Sequence, residues 1–361
     1  MTQRLAVVLC NLGGPDSPAA VRPFLQNLFS DPAILRVSAP MRWFLARLIS
    51  RLRARKAQAI YAKLGGGSPL LPNTQAQAQE IEKYLQRTIP AAKVFIAMRY
   101  WHPLTKETVA QVKDWNPDSI ALVSLYPQFS TTTTESSFKE FTKEAHRQGL
   151  TVPVHPVCCY PEDDGWTHAV AQTIENSSVN LAHTRILFSA HGLPQKIVDA
   201  GDPYPLQVAA SAHAVLKKLT IQPRDSIICY QSKVGPMEWL KPSTEAEIER
   251  AGREGVPILV VPIAFVSEHS ETLVELDDEY RHLATVSGVP RYTRAATVQT
   301  TQKFIEGLSQ LIMQATQKHA DEYLCALKDT VCRNPAGRCG RINVDNQLSG
   351  AVSPVLVSIK H

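Results

Sequence analysis

The stretch from Pro257 to Tyr280 reads PILVVPIAFVSEHSETLVELDDEY. It opens as an unbroken apolar run and then turns to acidic residues at helical spacing. A strand with one wet face alternates polar and apolar residues. A run without alternation belongs to a strand covered on both faces. Such runs recur: LAVVLCNL from Leu5, KVFIAMRY from Lys93, SIALVSLYP from Ser119, VPVHPVCCY from Val152, TRILFSAH from Thr184 and DSIICYQS from Asp225. Helical patterns lie between them, as in NTQAQAQEIEKYLQRTI from Asn73 and STEAEIERAGREG from Ser243, each with cap residues at its start. Strands alternating with helices predict an α/β fold with parallel sheets. We read two doubly wound halves, 1–150 and 151–318, then an extension, 319–361. A long amphipathic helix is expected from Gln299 to Leu327.

Bulk properties agree with this plan. The chain has 361 residues, 44% of them apolar and 20% charged. At roughly 150 residues per domain this argues for about two domains. A net charge of +5 is too small to suggest nucleic acid as a partner. The charge is local: Pro32 to Gln79 holds no Asp or Glu, but includes Arg36, Arg42, Arg47, Arg51, Arg53, Arg55, Lys56 and Lys63. No apolar run approaches the ~20 residues of a membrane span. MTQRLAVVLCNLGGP at the start reads as a buried strand, not a secretory signal. The seven cysteines, an odd number, argue against a disulfide framework. A cytoplasmic location with reduced thiols is expected.

In doubly wound sheets ligands bind beyond the carboxyl ends of the strands. There the sequence delivers Leu12 with two glycines, Arg99 and Tyr100, Tyr126, His191, Gln231 and Ser232, and finally Glu268, His269 and Glu271. Glu268, Glu271, Glu275 and Asp278 or Glu279 recur at three or four residues, on one helix face. Such a ladder is either a solvated acidic face or, with His269 beside it, a place for a divalent metal or a proton relay. His191, directly after a buried strand, is able to take protons near neutral pH. The run Gly65, Gly66, Gly67, Ser68 allows either a phosphate cradle or close approach to a flat ligand. It matches no nucleotide signature.

From Met41 to Lys56, Met41, Phe44, Leu45, Leu48, Ile49 and Leu52 make an apolar stripe among six cations, with Trp43 beside it. The segment reads either as a packed helix or as an interfacial one meeting anionic lipid.

Taken together these segments resemble ferrochelatase, the terminal enzyme of haem synthesis. NLGGP, LGGGSP, RYWHPLT, YPQFS, FSAHGLP, GDPYP, QSKVGPMEWL and PIAFVSEHSETLVELDDEY occur in the family's order, nearly end to end. The resemblance implies two Rossmann-like, chelatase-like domains with a porphyrin in the cleft between them. It implies a lyase that forms nitrogen–metal bonds, inserting Fe2+ into protoporphyrin IX and releasing two protons. By resemblance His191 accepts pyrrole protons, Glu271 faces it, and Glu275 continues the acidic path. His191 and Glu271 would meet the substrate iron. Glu268 stands where members often have Asp. Leu12, Tyr61, Ser68, Arg99, Tyr100, Tyr126 and Trp239 match positions that line the pocket.

Coproporphyrin-type members carry Tyr at Leu12 and lack an apolar lip. Leu12 and the lip at about 32–60 therefore favour protoporphyrin and peripheral membrane contact. A chelatase for coproporphyrin or another tetrapyrrole, and a non-catalytic tetrapyrrole or iron binder, stay open, as does a homodimer. Cluster-bearing members hold a 2Fe–2S cluster with three cysteines of a C-terminal extension and one from the body. Here Cys325, Cys332 and Cys339 would be the three, with Cys158, or alternatively Cys159, as the fourth. Thr131 occupies the body position of animal members. Adjacent strand residues face opposite ways, so only one of the pair is expected to ligate. Four-thiolate zinc is the competitor. The cluster is expected to pin the tail to the second domain.

Overall fold

The computed structural model describes residues 3–320, 322 and 324–326. Cys332, Cys339 and the rest of the extension lie outside them. The chain begins with β1 (Leu5–Asn11), α1 (Val21–Ser30), α2 (Ala39–Ala62), α3 (Leu70–Leu85), β2 (Ala92–Met98), α4 (Thr105–Trp115), β3 (Ser119–Ser124), α5 (Thr134–Gln148) and β4 (Val154–Cys159). Next come α6 (Asp164–Glu175), β5 (Arg185–His191), α7 (Gln195–Asp199), α8 (Tyr204–Leu216), β6 (Asp225–Gln231), α9 (Thr244–Glu254) and β7 (Ile258–Pro262). A π-helix (Glu271–Glu279), α10 (Tyr280–Val286), β8 (Tyr292–Arg294), α11 (Gln302–Thr316) and β9 (Leu324–Cys325) complete it.

Two parallel sheets result. The first has the order β2-β1-β3-β4-β9 and the second β6-β5-β7-β8. Every residue of β1, β3 and β7 is buried, as their unbroken apolar sequences require. One apolar core runs through both sheets, from Leu5, Val7 and Leu9 to Ile186, Phe188 and Val261. Separate clusters fill the outer faces under α4 and α5, and under α9 and α10.

The division of the chain differs from the expected one. β4 follows the expected boundary at 150, yet it is the fourth strand of the first sheet. α11 and β9 also return there, with α11 packing on α3, α6, β3 and β4. The second sheet is thus carried by a segment inserted into the first domain. α11 ends at Thr316 and does not continue to Leu327. Its buried stripe (Phe304, Ile305, Leu308, Leu311, Ile312) stops at Ala315, and the polar Gln317, Lys318 and His319 follow. Leu324 and Cys325 then pair in parallel with Val157 and Cys159. The described start of the extension, Leu324 and Cys325, therefore docks on the first sheet rather than on the second domain. Two glycines fix where α11 sits: a Cβ on Gly165 of α6 would lie 2.7 Å from Gly307 Cα and 2.5 Å from the Lys303 carbonyl. Only glycine tolerates such an approach.

α1 and α2 form a hairpin with its own small core of Val21, Phe24, Leu25, Tyr61 and Tyr100. Apart from Tyr61 near its end, the buried positions of α2 are small: Ala46, Ser50 and Ala54, four residues apart. They let the two helices close together while the large side chains face out. Phe44 is 57% exposed, Leu52 72% and Trp43 57%. The large members of the apolar stripe, Met41, Phe44, Leu48 and Leu52, thus lie at the surface of a helix that packs through another face, while Leu45 and Ile49 are half-buried.

Candidate active site

Both sheets present the carboxyl ends of their strands to one cleft. His191 ends β5, and its ring is fixed by its own neighbour. Nδ1 lies 2.7 Å from the Gly192 carbonyl, which only accepts, so Nδ1 carries the hydrogen. The neutral ring then keeps its lone pair on Nε2, and Nε2 lies 3.8 Å from Glu271 Oε1. His269 repeats the arrangement. Its Nδ1–H donates to the Ser267 carbonyl at 3.1 Å, and its Nε2 lies 3.6 Å from Glu271 Oε2. Glu271 therefore has one imidazole nitrogen near each oxygen. Burial alone would raise its pKa, but attraction to His191 and His269 when those rings carry a second proton, with a hydrogen bond from His269, wins and holds it down to about 2.

Glu271 begins the π-helix, closed by the Tyr280 N–H donating to the Glu275 carbonyl five residues back. The sequence pattern predicts an α-helix here, and the wider turn is a finding. It stacks Glu271 and Glu275 more nearly in line than an α-helix would. Burial, with Glu271 nearby, raises the pKa of Glu275. Two adjoining carboxyls are thus driven apart in affinity for a proton, the usual mark of an acid/base pair.

The rest of the ladder is divided among other tasks. Glu268 is buried and receives Arg294 Nη1 at 2.9 and 3.1 Å and the Thr297 N–H at 2.9 Å. Its pKa, which burial would raise, is lowered by Arg294. Asp278 pairs with Lys63 at the surface, and Glu279 is exposed.

Several of the residues expected to line the pocket have partners close to these groups. Trp239 packs against Gly192, where a Cβ would lie 3.1 Å from its ring, and Trp239 Nε1–H donates to the Val234 carbonyl at 3.0 Å. Tyr61, buried on α2, hydrogen-bonds Ser270 just ahead of the π-helix, and burial raises its hydroxyl to about 12. Leu12 packs on the Tyr61–Tyr100 cluster. Tyr126 lies within electrostatic reach of Glu271. Arg99 and Tyr100 are held within the first domain by a residue that sequence reasoning missed. Asp31 Oδ2 accepts from Tyr100 Oη at 2.8 Å, Ser136 Oγ at 2.5 Å and Arg99 Nη2 at 2.8 Å.

Ser68 belongs to a backbone clasp. Its N–H donates to the Pro15 carbonyl at 2.7 Å, and a Cβ on Gly14 would lie 2.5 Å from its side chain. The two glycine loops close on each other, which accounts for the run without a phosphate.

Away from the cleft, Cys159 Sγ lies 3.1 Å from Cys325 Sγ and 3.5 Å from Cys158 Sγ. All three sulfurs fall within 4.8 Å of one another. The expected opposition of Cys158 and Cys159 does not hold, because the register with β9 slips between Val157 and Cys159. A trio of close thiols, two buried and one half-buried, suits a soft metal centre. Cys10 and Cys229 are buried elsewhere, and burial pushes each thiol up to about 12, so both are inert. Thr131 cannot substitute: its N–H and hydroxyl donate to Asp202 Oδ2 at 2.8 and 2.7 Å.

With this geometry in view, residues 4–316 match the family described as Ferrochelatase. The chain belongs to the ferrochelatase family. A ferrochelatase from Caulobacter vibrioides is 51% identical over 323 residues, covering 88% of this chain and 92% of that one. One from Phenylobacterium zucineum is 51% identical, covering 93% and 97%, and one from Rickettsia bellii 46%, covering 93% and 95%. Among solved structures, SirB from Bacillus subtilis with Fe3+ is similar with a TM-score of 0.55 at 12% identity, covering 87% of this chain and 96% of that one. That likeness extends to the fold alone: two parallel-sheet α/β domains.

Proposed function

We propose that this chain inserts ferrous iron into protoporphyrin IX and releases two protons. The observation that carries the reading is His191, whose Nδ1–H is tied to the Gly192 carbonyl so that Nε2 is free to accept. Metal insertion requires two pyrrole N–H groups to lose their protons. A basic nitrogen at the cleft wall takes them one at a time. Glu271, ionised between two imidazoles, stabilises the imidazolium that forms and offers oxygen to a ferrous ion on its way in. Because the two rings meet different oxygens of Glu271, the set resembles a route more than a closed cage. Trp239, Tyr61 and Leu12 give the apolar walls a flat ring needs, and binding of its remote surface offsets the distortion that exposes nitrogen lone pairs. Leu12 favours protoporphyrin, since coproporphyrin-type members carry Tyr there. Anaerobic mixing of the protein with Fe2+ and each porphyrin tests the reading. A haem band forming with protoporphyrin IX and weakly with coproporphyrin III is expected. Absence of any metalloporphyrin refutes it.

The exposed stripe on α2 supports a peripheral membrane role for a protein in which no described helix is long and apolar enough to cross a bilayer. Its arginines would meet anionic lipid while Phe44, Leu48 and Leu52 enter the interface. Co-sedimentation with phosphatidylserine vesicles is expected to fall about tenfold in Leu52→Asp or in half-molar salt. Equal binding by the variant would exclude this helix as the contact.

We further propose that Cys325, Cys332 and Cys339, with Cys158 or alternatively Cys159, supply the four thiolates for a 2Fe–2S cluster. The sulfurs of Cys158, Cys159 and Cys325 lie within 4.8 Å of one another, the first two buried and the third half-buried, which supports a shared soft centre. When bound it would cross-link β4 to β9, and none of the cleft chemistry requires it. Cys325→Ser is expected to lose visible absorbance and acid-labile sulfide. A variant that keeps both refutes the assignment, and zinc in place of iron on metal analysis does so equally.

A further inference from the structure

Two protons leave the porphyrin for every iron that enters, and they must leave a cleft whose groups are largely buried. Glu275, midway along the π-helix, is surrounded by donors. Oε1 accepts the Ser232 N–H at 2.8 Å, and Oε2 accepts Ser232 Oγ–H at 2.5 Å and Gln231 Nε2–H at 3.1 Å. Ser232 holds a φ of 64°, the left-handed region that disfavours side chains, and it brings both its donors to this one carboxyl. Behind Glu275 stands Tyr280, five residues on. In an α-helix that position is turned well away, whereas the π turn brings it alongside. Tyr280 Oη lies 3.1 Å from Glu275 Oε1 and 2.8 Å from Glu245 Oε1 on the neighbouring helix α9. Tyr280 is 4% exposed, and Glu245 is half-buried in the first turn of α9, next to the exposed Ala246.

We propose that Glu275, Tyr280 and Glu245 form a proton exit leading from the cleft to the outer face of the second domain. The reasoning is a count of hydrogens. A phenol has one, and it donates to one oxygen at a time. Two ionised carboxylates would leave the second contact oxygen to oxygen with nothing between. The arrangement therefore holds one further proton. With that proton on Glu275, its O–H donates to Tyr280 Oη while Tyr280 O–H donates to Glu245. Shifting both hydrogens one place breaks the Glu275 O–H and Tyr280 O–H bonds and makes a new Tyr280 O–H and a Glu245 O–H. One proton has crossed, the phenol is unchanged, and no phenolate has formed. Glu245 passes the proton to water, and the phenol hydrogen swings back for the next. Burial and the two flanking carboxyls raise the phenol far above its ordinary value, which keeps it neutral throughout. Burial and the charge of Glu271 raise Glu275, which suits it to receive the proton.

This inference rests on the iron-insertion reading, and the test separates the two. The full chain is assayed anaerobically with Fe2+ and protoporphyrin IX, beside Tyr280→Phe, Glu245→Gln, the double variant and Glu249→Gln, an exposed control on the same helix. Tyr280→Phe and Glu245→Gln are each expected to lower kcat about tenfold with KM for the porphyrin unchanged and a larger solvent deuterium isotope effect. The double variant is expected to be no slower than the slower single one, since a broken chain breaks once. Imidazole buffer is expected to restore Glu245→Gln, and the control to match the parent. Unchanged kcat in Tyr280→Phe, or additive losses with an unchanged isotope effect, overturns the relay. No metalloporphyrin from the parent protein overturns the underlying reading instead.

Discussion

His191→Ala is expected to lower kcat for iron insertion by about a thousandfold while leaving KM for the porphyrin within a few-fold. The ring touches the cleft through Nε2 alone, because Nδ1 is engaged by the Gly192 carbonyl. Alanine removes the acceptor and leaves the walls made by Trp239, Tyr61 and Leu12 in place. Binding should persist while proton removal fails. An equal loss in kcat and kcat/KM is the signature of a group that acts only in the transition state. Activity within tenfold of the parent would assign the first proton to another group. Glu271 links the same site to acid stability. Its folded pKa is depressed to about 2 from the ordinary 4.5. The stability it contributes is therefore present above about 4.5 and is lost as pH falls towards 2.

Arg294→Leu is expected to destabilise the protein by about 3–5 kcal/mol, the usual effect of removing one partner from a buried ionic network. Arg294 on β8 forks across both ends of the segment that carries the site. Nη1 holds Glu268, ahead of the π-helix, while Nε and Nη2 hold Asp277 in its last turn at 2.9 and 2.6 Å. Leucine would leave buried Glu268 without its cation and Asp277 with only the more exposed Arg281, whose Nη2 lies 3.7 Å from Oδ1. Lysine keeps the charge but not the fork, so Arg294→Lys should recover part of the loss. Glu268 has a lowered folded pKa, so its contribution is present at neutral pH and disappears as pH falls below the ordinary carboxylate range. The variant should accordingly lose less stability between pH 7 and pH 3 than the parent. Denaturant unfolding measures both. A midpoint shift worth less than about 1 kcal/mol would show that the fork does not hold the π-helix.

How much of this was legible in the residues depends on range. Unbroken runs such as LAVVLCN and ILVVP announce strands covered on both faces, and the chemistry-bearing residues follow them directly. His191 and Glu271 could therefore be placed at one end of the sheets before any coordinates. The helix that follows was legible as a helix but not as a π-helix, since acidic residues three and four apart fit either period. Nor could spacing say which members of the ladder face the cleft. That is decided by Arg294, twenty-six residues beyond Glu268 and at the end of a three-residue strand. Asp31 escaped notice for the same reason, because its partners Arg99 and Ser136 come from distant elements. The order of strands along the chain also carries no label saying which sheet each joins. β4 and β9 accordingly fell on the wrong side of the expected boundary.

The return of α11 and β9 to the first sheet clamps the second domain at both of its ends. It is joined to the first by two backbone crossings, one leaving after β4 and one returning before α11. Tyr61, Asn73 and Gln77 of the first domain bond to Ser270, Glu268 and Val266 of the second, and one apolar core is shared by both sheets. A segment held at both ends has fewer ways to fray than one hanging from a single linker. His191 on the inserted segment and the apolar lip on the surrounding one therefore stand on a continuous frame.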